Sequence, residues 1–121
     1  MEQAAAASNV RWLVVYIEEA HASDEWPVGR NTSVTTQPKT LEHRRDLARA
    51  AHEDMLNSEV EVLVDDMANS FQAAMACWPI RMFVLEPKTA ELRFKAQPDL
   101  SPEVYGYRLE EMSDWIEANV A

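Results

Sequence analysis

"VVYIEEAHASDEW", residues Val14 to Trp26, decides how this chain is read. An apolar run, Trp12 to Ile17, stops at the adjacent carboxylates Glu18 and Glu19. His21 follows, then Ser23, Asp24 and Trp26. The run is rich in β-branched residues, which suits a strand covered on both faces in a parallel α/β sheet. On a strand, Glu18 and Glu19 point to opposite faces, so only one of them can enter a given pocket. Glu19 and His21 are two apart and share a face in extended chain. A carboxylate beside an imidazole favours the protonated ring and holds one tautomer. Such a pair can donate a proton near neutral pH. The plainer alternative is a Glu and a His at a strand end, hydrogen-bonded to a helix N-terminus in solvent.

Working outward, Glu2 to Ala7 is alanine-rich and reads as a helix end or frayed tail. Asp24 to Lys39 holds Pro27, Gly29, Asn31, Ser33 and Pro38 and reads as a long loop, a type that often carries function. Thr40 can cap a helix reaching about Asn57, with Leu47, Ala51 and Met55 as its apolar stripe. Val60 to Val64 is a second strand. Asn69 or Ser70 then caps a helix with Phe71, Ala74, Met75 and Trp78 on one face, ended by Pro79. Met82 to Leu85 and Glu91 to Lys95 form a hairpin around Glu86-Pro87-Lys88-Thr89, with one face of the last strand toward water. Leu109, Met112 and Ile116 mark a closing helix, flanked by Trp115. The order is β-α-β-α-β-β-α, two parallel crossovers followed by a hairpin and a helix, in one domain over residues 1–121.

The bulk numbers narrow the function classes. A chain of 121 residues with 47% apolar content fits one small core. A net charge of −10 repels phosphate backbones and anionic lipid, so neither nucleic acid nor a membrane surface is an expected partner. No stretch approaches the length of about 20 apolar residues that spans a bilayer, and MEQAAAASNVRW lacks the pattern of a signal peptide. With Cys77 the single cysteine, no intrachain disulfide and no cysteine-based zinc site can form; that fits a reducing, cytoplasmic setting. Only two glycines occur, so P-loop and GxGxxG patterns are excluded. His21, Glu19, Asp24 and His43 could gather around a metal, but the three histidines have no close repeat spacing, so no metal and no cofactor is expected. His52 reads as a solvated helix residue. Glu110-Glu111 and Asp65-Asp66 read as solvated faces or helix-end acids, and Trp12, Trp78 and Trp115 as core or core-edge residues.

YIEEAHASDEW resembles the signature of the iodothyronine deiodinases, selenoproteins of thioredoxin-like fold. EHRRDLARAA (Glu42 to Ala51), VLVDDMANS (Val62 to Ser70), WPIRMFVLE and ELRFK follow in the order and spacing of that family. The likeness runs from about Trp12 to Val120. It implies that Tyr16 lies near a substrate pocket, that Glu19 and His21 form the acid/base pair there, and that His43 approaches from the next helix. The implied reaction is reductive removal of iodide from an iodinated phenol, with selenium attacking.

Two departures matter. The family places its selenocysteine in a strand–nucleophile–helix unit upstream of YIEEAH; here 15 residues precede Tyr16 and none is a cysteine. The family's glycine-rich, arginine-containing loop after the hairpin is replaced by Ala96-Gln97-Pro98-Asp99. Without the nucleophile no turnover is expected from this chain. An in-frame UGA upstream of Met1 would explain the gap. Two rival readings stand: a non-catalytic domain that binds a small aromatic or phenolic ligand, and a thiol or peroxide reductase using Cys77. In related folds the proline before the third core strand is often cis and borders the site, which sets Cys77 near it; a buried small hydrophobe is the commoner role of such a cysteine. The missing unit is the sheet's central strand, so the expected fold is a truncated thioredoxin-like one. Its unpaired edge leads us to expect a homodimer.

Overall fold

Among the described residues, the apolar run forms β1 (Leu13–Tyr16), which pairs in parallel with β2 (Glu61–Val64) in the register Val14↔Val62 and Tyr16↔Val64. A 15-residue helix, α1 (Leu41–Met55), connects them. The computed structural model describes residues 9–25, 35–55, 59–103 and 106–120. A short helix, α2 (Ser70–Met75), precedes the hairpin β3 (Phe83–Leu85) and β4 (Leu92–Lys95), and α3 (Leu109–Asn119) closes the order. The expected sequence of elements, β-α-β-α-β-β-α, is found. The strands make two sheets of two strands each, one parallel and one antiparallel. The chain divides into two compact units, one spanning Trp12–Pro79 and the other Ile80–Ala121 with Met1–Arg11.

In the first unit, register assigns the side chains. Val14, Tyr16, Val62 and Val64 share the sheet face toward α1, and Leu13, Val15 and Leu63 share the other. That second face is only partly covered: Leu13 is 46% and Leu63 45% exposed. The expectation of a strand buried on both faces is therefore corrected, because α1 covers one side of a narrow two-stranded sheet. Thr40 does cap α1: its hydroxyl accepts from the His43 amide at 3.1 Å and its carbonyl from the Arg44 amide. The buried positions of α1 differ from the expected stripe at Leu47 and Ala51; the side chain of Met55, its third member, lies outside the described residues. Arg44 and Ala48 are buried, and Leu47 and Ala51 only half so. An arginine four residues before an alanine occupies the position that periodicity reserves for an apolar residue.

The helix α2 also differs from expectation. Asn69 precedes it in a left-handed conformation and makes no side-chain cap. Ala76, likewise left-handed at φ 49°, ends the helix after six residues, well before Pro79. Ala74 and Trp78 are exposed rather than part of a buried face. The Trp78–Pro79 bond is cis.

In the second unit, the core is Ala96, Met112 and Ile116, with the Trp115 ring tilted on Phe94 at 5.5 Å. The α3 stripe is as its periodicity foretells. Arg93 is exposed, as expected of the water face of the hairpin, and lies over the Trp115 ring; Arg81 lies over Tyr107. Asp99 and Gly106 bond reciprocally through their backbones, and hydrogen bonds from Ser101 hold the Asp99 carboxyl below its usual range.

Candidate functional site

The carboxyl end of β1 splits its two glutamates between different partners. Glu18 turns to α2: its carboxylate accepts from the side-chain amides of Gln72 and Asn69 at 3.3 and 3.4 Å, and its backbone amide donates to Gln72 Oε1. It is thus a fastening between β1 and α2. Glu19 is left half-buried, and desolvation pushes its carboxyl above the usual range. A raised carboxyl holds its proton longer, the property a general acid requires.

The backbone of Glu19 is gripped by a residue that sequence reasoning passed over. Gln37, 9% exposed, accepts the Glu19 amide at Oε1 (3.0 Å) and donates from Nε2 to the Glu19 carbonyl (2.8 Å). The same nitrogen donates to Glu25 Oε2 at 2.9 Å, and the Gln37 amide donates to Asp24 Oδ1 at 2.8 Å. One side chain therefore does for Glu19 what a neighbouring strand would do. Asp24, weighed above as a metal ligand, serves this loop. Among the described residues no three His, Cys, Asp or Glu side chains come together in a way that could hold a metal ion.

β1 ends at Tyr16, and Ala20 and His21 lie in a turn. The two-residue alternation that would set Glu19 and His21 on one face therefore stops before them, and the turn decides their directions. His21 is half-buried. His43 is half-buried in the first turn of α1, beside Arg44. Arg44 reaches past the end of β2, donating from Nη1 to the carbonyls of Asp65 (3.3 Å) and Asp66 (2.6 Å). The Asp65 amide in turn donates to the Tyr16 carbonyl at 2.9 Å. Tyr16, Glu19, His21 and His43 thus belong to segments that meet at one end of the sheet, the carboxyl end, where ligands bind in open α/β sheets.

Beneath that end lies a polar anchor. The buried Asp65 carboxylate accepts three backbone amides, those of Asp66, Phe71 and Gln72, at 2.9–3.0 Å. Asp66 accepts the Ser70 amide and hydroxyl, which hold its exposed carboxyl below the usual range. These acids cap α2 from outside the helix, the work expected of Asn69 or Ser70. Cys77 is a buried thiol, 4% exposed, just past the end of α2.

Comparison with known proteins now places the chain. The iodothyronine deiodinase family model matches residues 4–120. The chain belongs to the iodothyronine deiodinase family. Thyroxine 5-deiodinase of Homo sapiens is 30% identical over 109 residues, covering 90% of this chain and 33% of the relative. The Sparus aurata thyroxine 5-deiodinase is 34% identical over 106 residues, covering 88% of the chain and 37% of the relative. A type I iodothyronine deiodinase of Xenopus laevis is 29% identical over 106 residues, 38% of its length. The chain spans about a third of the length of these relatives. Deiodinase membership implies a thioredoxin-like fold, and the order of elements is that of a small α/β protein. No described helix is long and apolar enough to cross a membrane.

Proposed function

We propose that this chain keeps the acid/base side of a deiodinase pocket and binds a small aromatic or phenolic ligand there without reductive turnover. Glu19 is the general acid, His21 its partner, and Tyr16 and His43 line the pocket. The observation that carries this reading is the half-buried Glu19 carboxyl, raised by desolvation, at the carboxyl end of β1 in a segment matched by the family. The 121 residues contain no selenocysteine, and Cys77 is buried, where thiols are unreactive. The thiol-reductase reading is therefore the weaker rival. An iodinated phenol such as 2,6-diiodophenol, at about ten times its Kd, is expected to stabilise the protein by about 1.4 kcal/mol, read as a melting shift of several degrees. Glu19→Ala is expected to reduce that shift. With a dithiol reductant no iodide is released. Iodide release that survives Cys77→Ser, or no melting shift with any iodinated phenol, overturns the proposal.

The raised Glu19 carboxyl gives a pH signature. Folding favours its protonated form, so its contribution is fully present below the unfolded value of 4.5 and is lost as pH rises through the folded value. Glu19→Gln is therefore expected to raise the melting temperature at pH 7 and to leave it unchanged at pH 4. An equal shift at both pH values shows that the carboxyl is not desolvated.

We further propose that the scaffold is a thioredoxin-like fold and that a second copy covers the Leu13–Val15–Leu63 face. A dimer interface of about 1,200–2,000 Å² would cover these leucines. The charge of −10 opposes association, but screening beyond about 8 Å lets an apolar contact prevail. Light scattering at micromolar concentration is expected to give twice 13.8 kDa, and Leu63→Lys to halve it. A monomer at all concentrations excludes the dimer.

A further inference from the structure

A cleft of about 220 Å³ opens between α1 and β2, reaching Val64 at the carboxyl end of the strand. Its floor is apolar: Ala48, Val62 and Val64. Its rim is basic: Arg45 and Arg49, both exposed, stand one turn apart on α1, with His52 in the next turn. Three basic side chains in a row are a local reversal of charge in a chain of net −10. Asp46 offsets one of them through an exposed 3.1 Å pair with Arg49. Arg45 has no ion pair in the described structure. His52, expected to be solvated, is half-buried, and its Nε2 is closed off from solvent without a hydrogen-bond partner. An enclosed polar atom with no partner is unusual and asks for an explanation.

We propose that this cleft binds a small amphipathic organic anion, an aromatic or short aliphatic carboxylate. The apolar body rests on Val62, Val64 and Ala48. The carboxylate lies between the Arg45 and Arg49 guanidinium groups, whose planar forks match its two oxygens. A rotation of the imidazole lets His52 Nε2 donate to the same group. The volume admits a ligand of one ring and excludes a large one. An apolar floor with a few convergent polar groups is the usual make-up of a small-molecule site. The cleft lies on the α1-covered face and is independent of the reading given for Glu19 and His21.

The test is a titration of the full 121-residue chain, isotope-labelled and followed by amide NMR, with three probes. Benzoate carries both features, benzamide lacks the charge, and inorganic phosphate lacks the apolar body. Benzoate is expected to give saturable shifts at Ala48, His52, Val62 and Val64 with a Kd on the order of 1 mM. Benzamide and phosphate are expected to bind at least about tenfold more weakly, the loss of a charge-assisted pair or of the apolar contact. The double variant Arg45→Gln/Arg49→Gln, whose changes are at exposed positions, should stay folded by its amide spectrum and lose benzoate at least about tenfold. Benzamide or phosphate binding as tightly as benzoate overturns the proposal. So do shifts that map away from the cleft, or full benzoate binding by the double variant.

Discussion

Replacing Arg44 with methionine is expected to destabilise the protein by about 2–4 kcal/mol. Arg44 is 2% exposed and is the largest fully buried side chain among the described residues. Its stem crosses the interior of the first unit, and its Nη1 holds two carbonyls just past β2. Methionine roughly fills the stem but cannot donate. The carbonyls of Asp65 and Asp66 then lose their partner. An unpaired buried acceptor costs about 1–3 kcal/mol. Arg44→Lys keeps the charge but not the planar, longer donor group that places Nη1 between the two carbonyls, so its loss is expected to be smaller yet present. Urea unfolding curves at pH 7 check the series. A methionine variant within 0.5 kcal/mol of the parent, roughly the scatter of surface substitutions, shows that the guanidinium is dispensable.

The second large effect is expected at Asp65. Its carboxylate collects three amides, two of which are unsatisfied donors in the first turn of α2. Asp65→Ala removes all three acceptor contacts at once. A lost cap costs about 0.5–2 kcal/mol, and the further buried donor raises the expectation to about 2–4 kcal/mol. Asp65→Asn retains one acceptor oxygen and should lose about half as much. Because α2 holds Glu18 through Gln72 and Asn69, the alanine variant should also loosen the end of β1. Faster hydrogen exchange of the Glu18 amide is the companion readout. If α2 unfolds locally with no change at Glu18, the two elements are not coupled as the hydrogen bonds imply.

The sequence carried the arrangement of elements but not the polar contacts that hold the site. β-branched runs marked β1 and β2, a turn between alternating segments marked the hairpin, and Leu109–Met112–Ile116 marked α3. Each is a local pattern with a fixed period. Thr40 was legible as a cap for the same reason. Arg44 was not, since EHRRDLARA offers three arginines of one chemical type and nothing local tells the buried one from its exposed neighbours. Gln37 was invisible because its partner, Glu19, is 18 residues away. The early stop of α2 escaped notice because Ala76 takes a left-handed turn that glycine usually signals. The segment Glu18–His21 was legible as a place but not as a geometry. Pattern reading extended the strand through His21, whereas Glu18 is drawn to α2 and a turn begins at Ala20. The expected long loop holds residues 26–34, including Trp26, outside the described residues.

The Gln37 clamp has a consequence for how this chain can change length. The Ser23 amide donates to the Thr35 carbonyl at 2.8 Å, and Gln37 fastens the next turn to Glu19, Asp24 and Glu25. The stretch between residues 25 and 35 is therefore shut at its base by bonds that do not involve its own side chains. Residues inserted there lengthen a closed ring without touching the knot. Doubling such a ring adds only about 0.6 kcal/mol of closure entropy. A peptide tag can thus be spliced in at this point while Glu19 stays where it is.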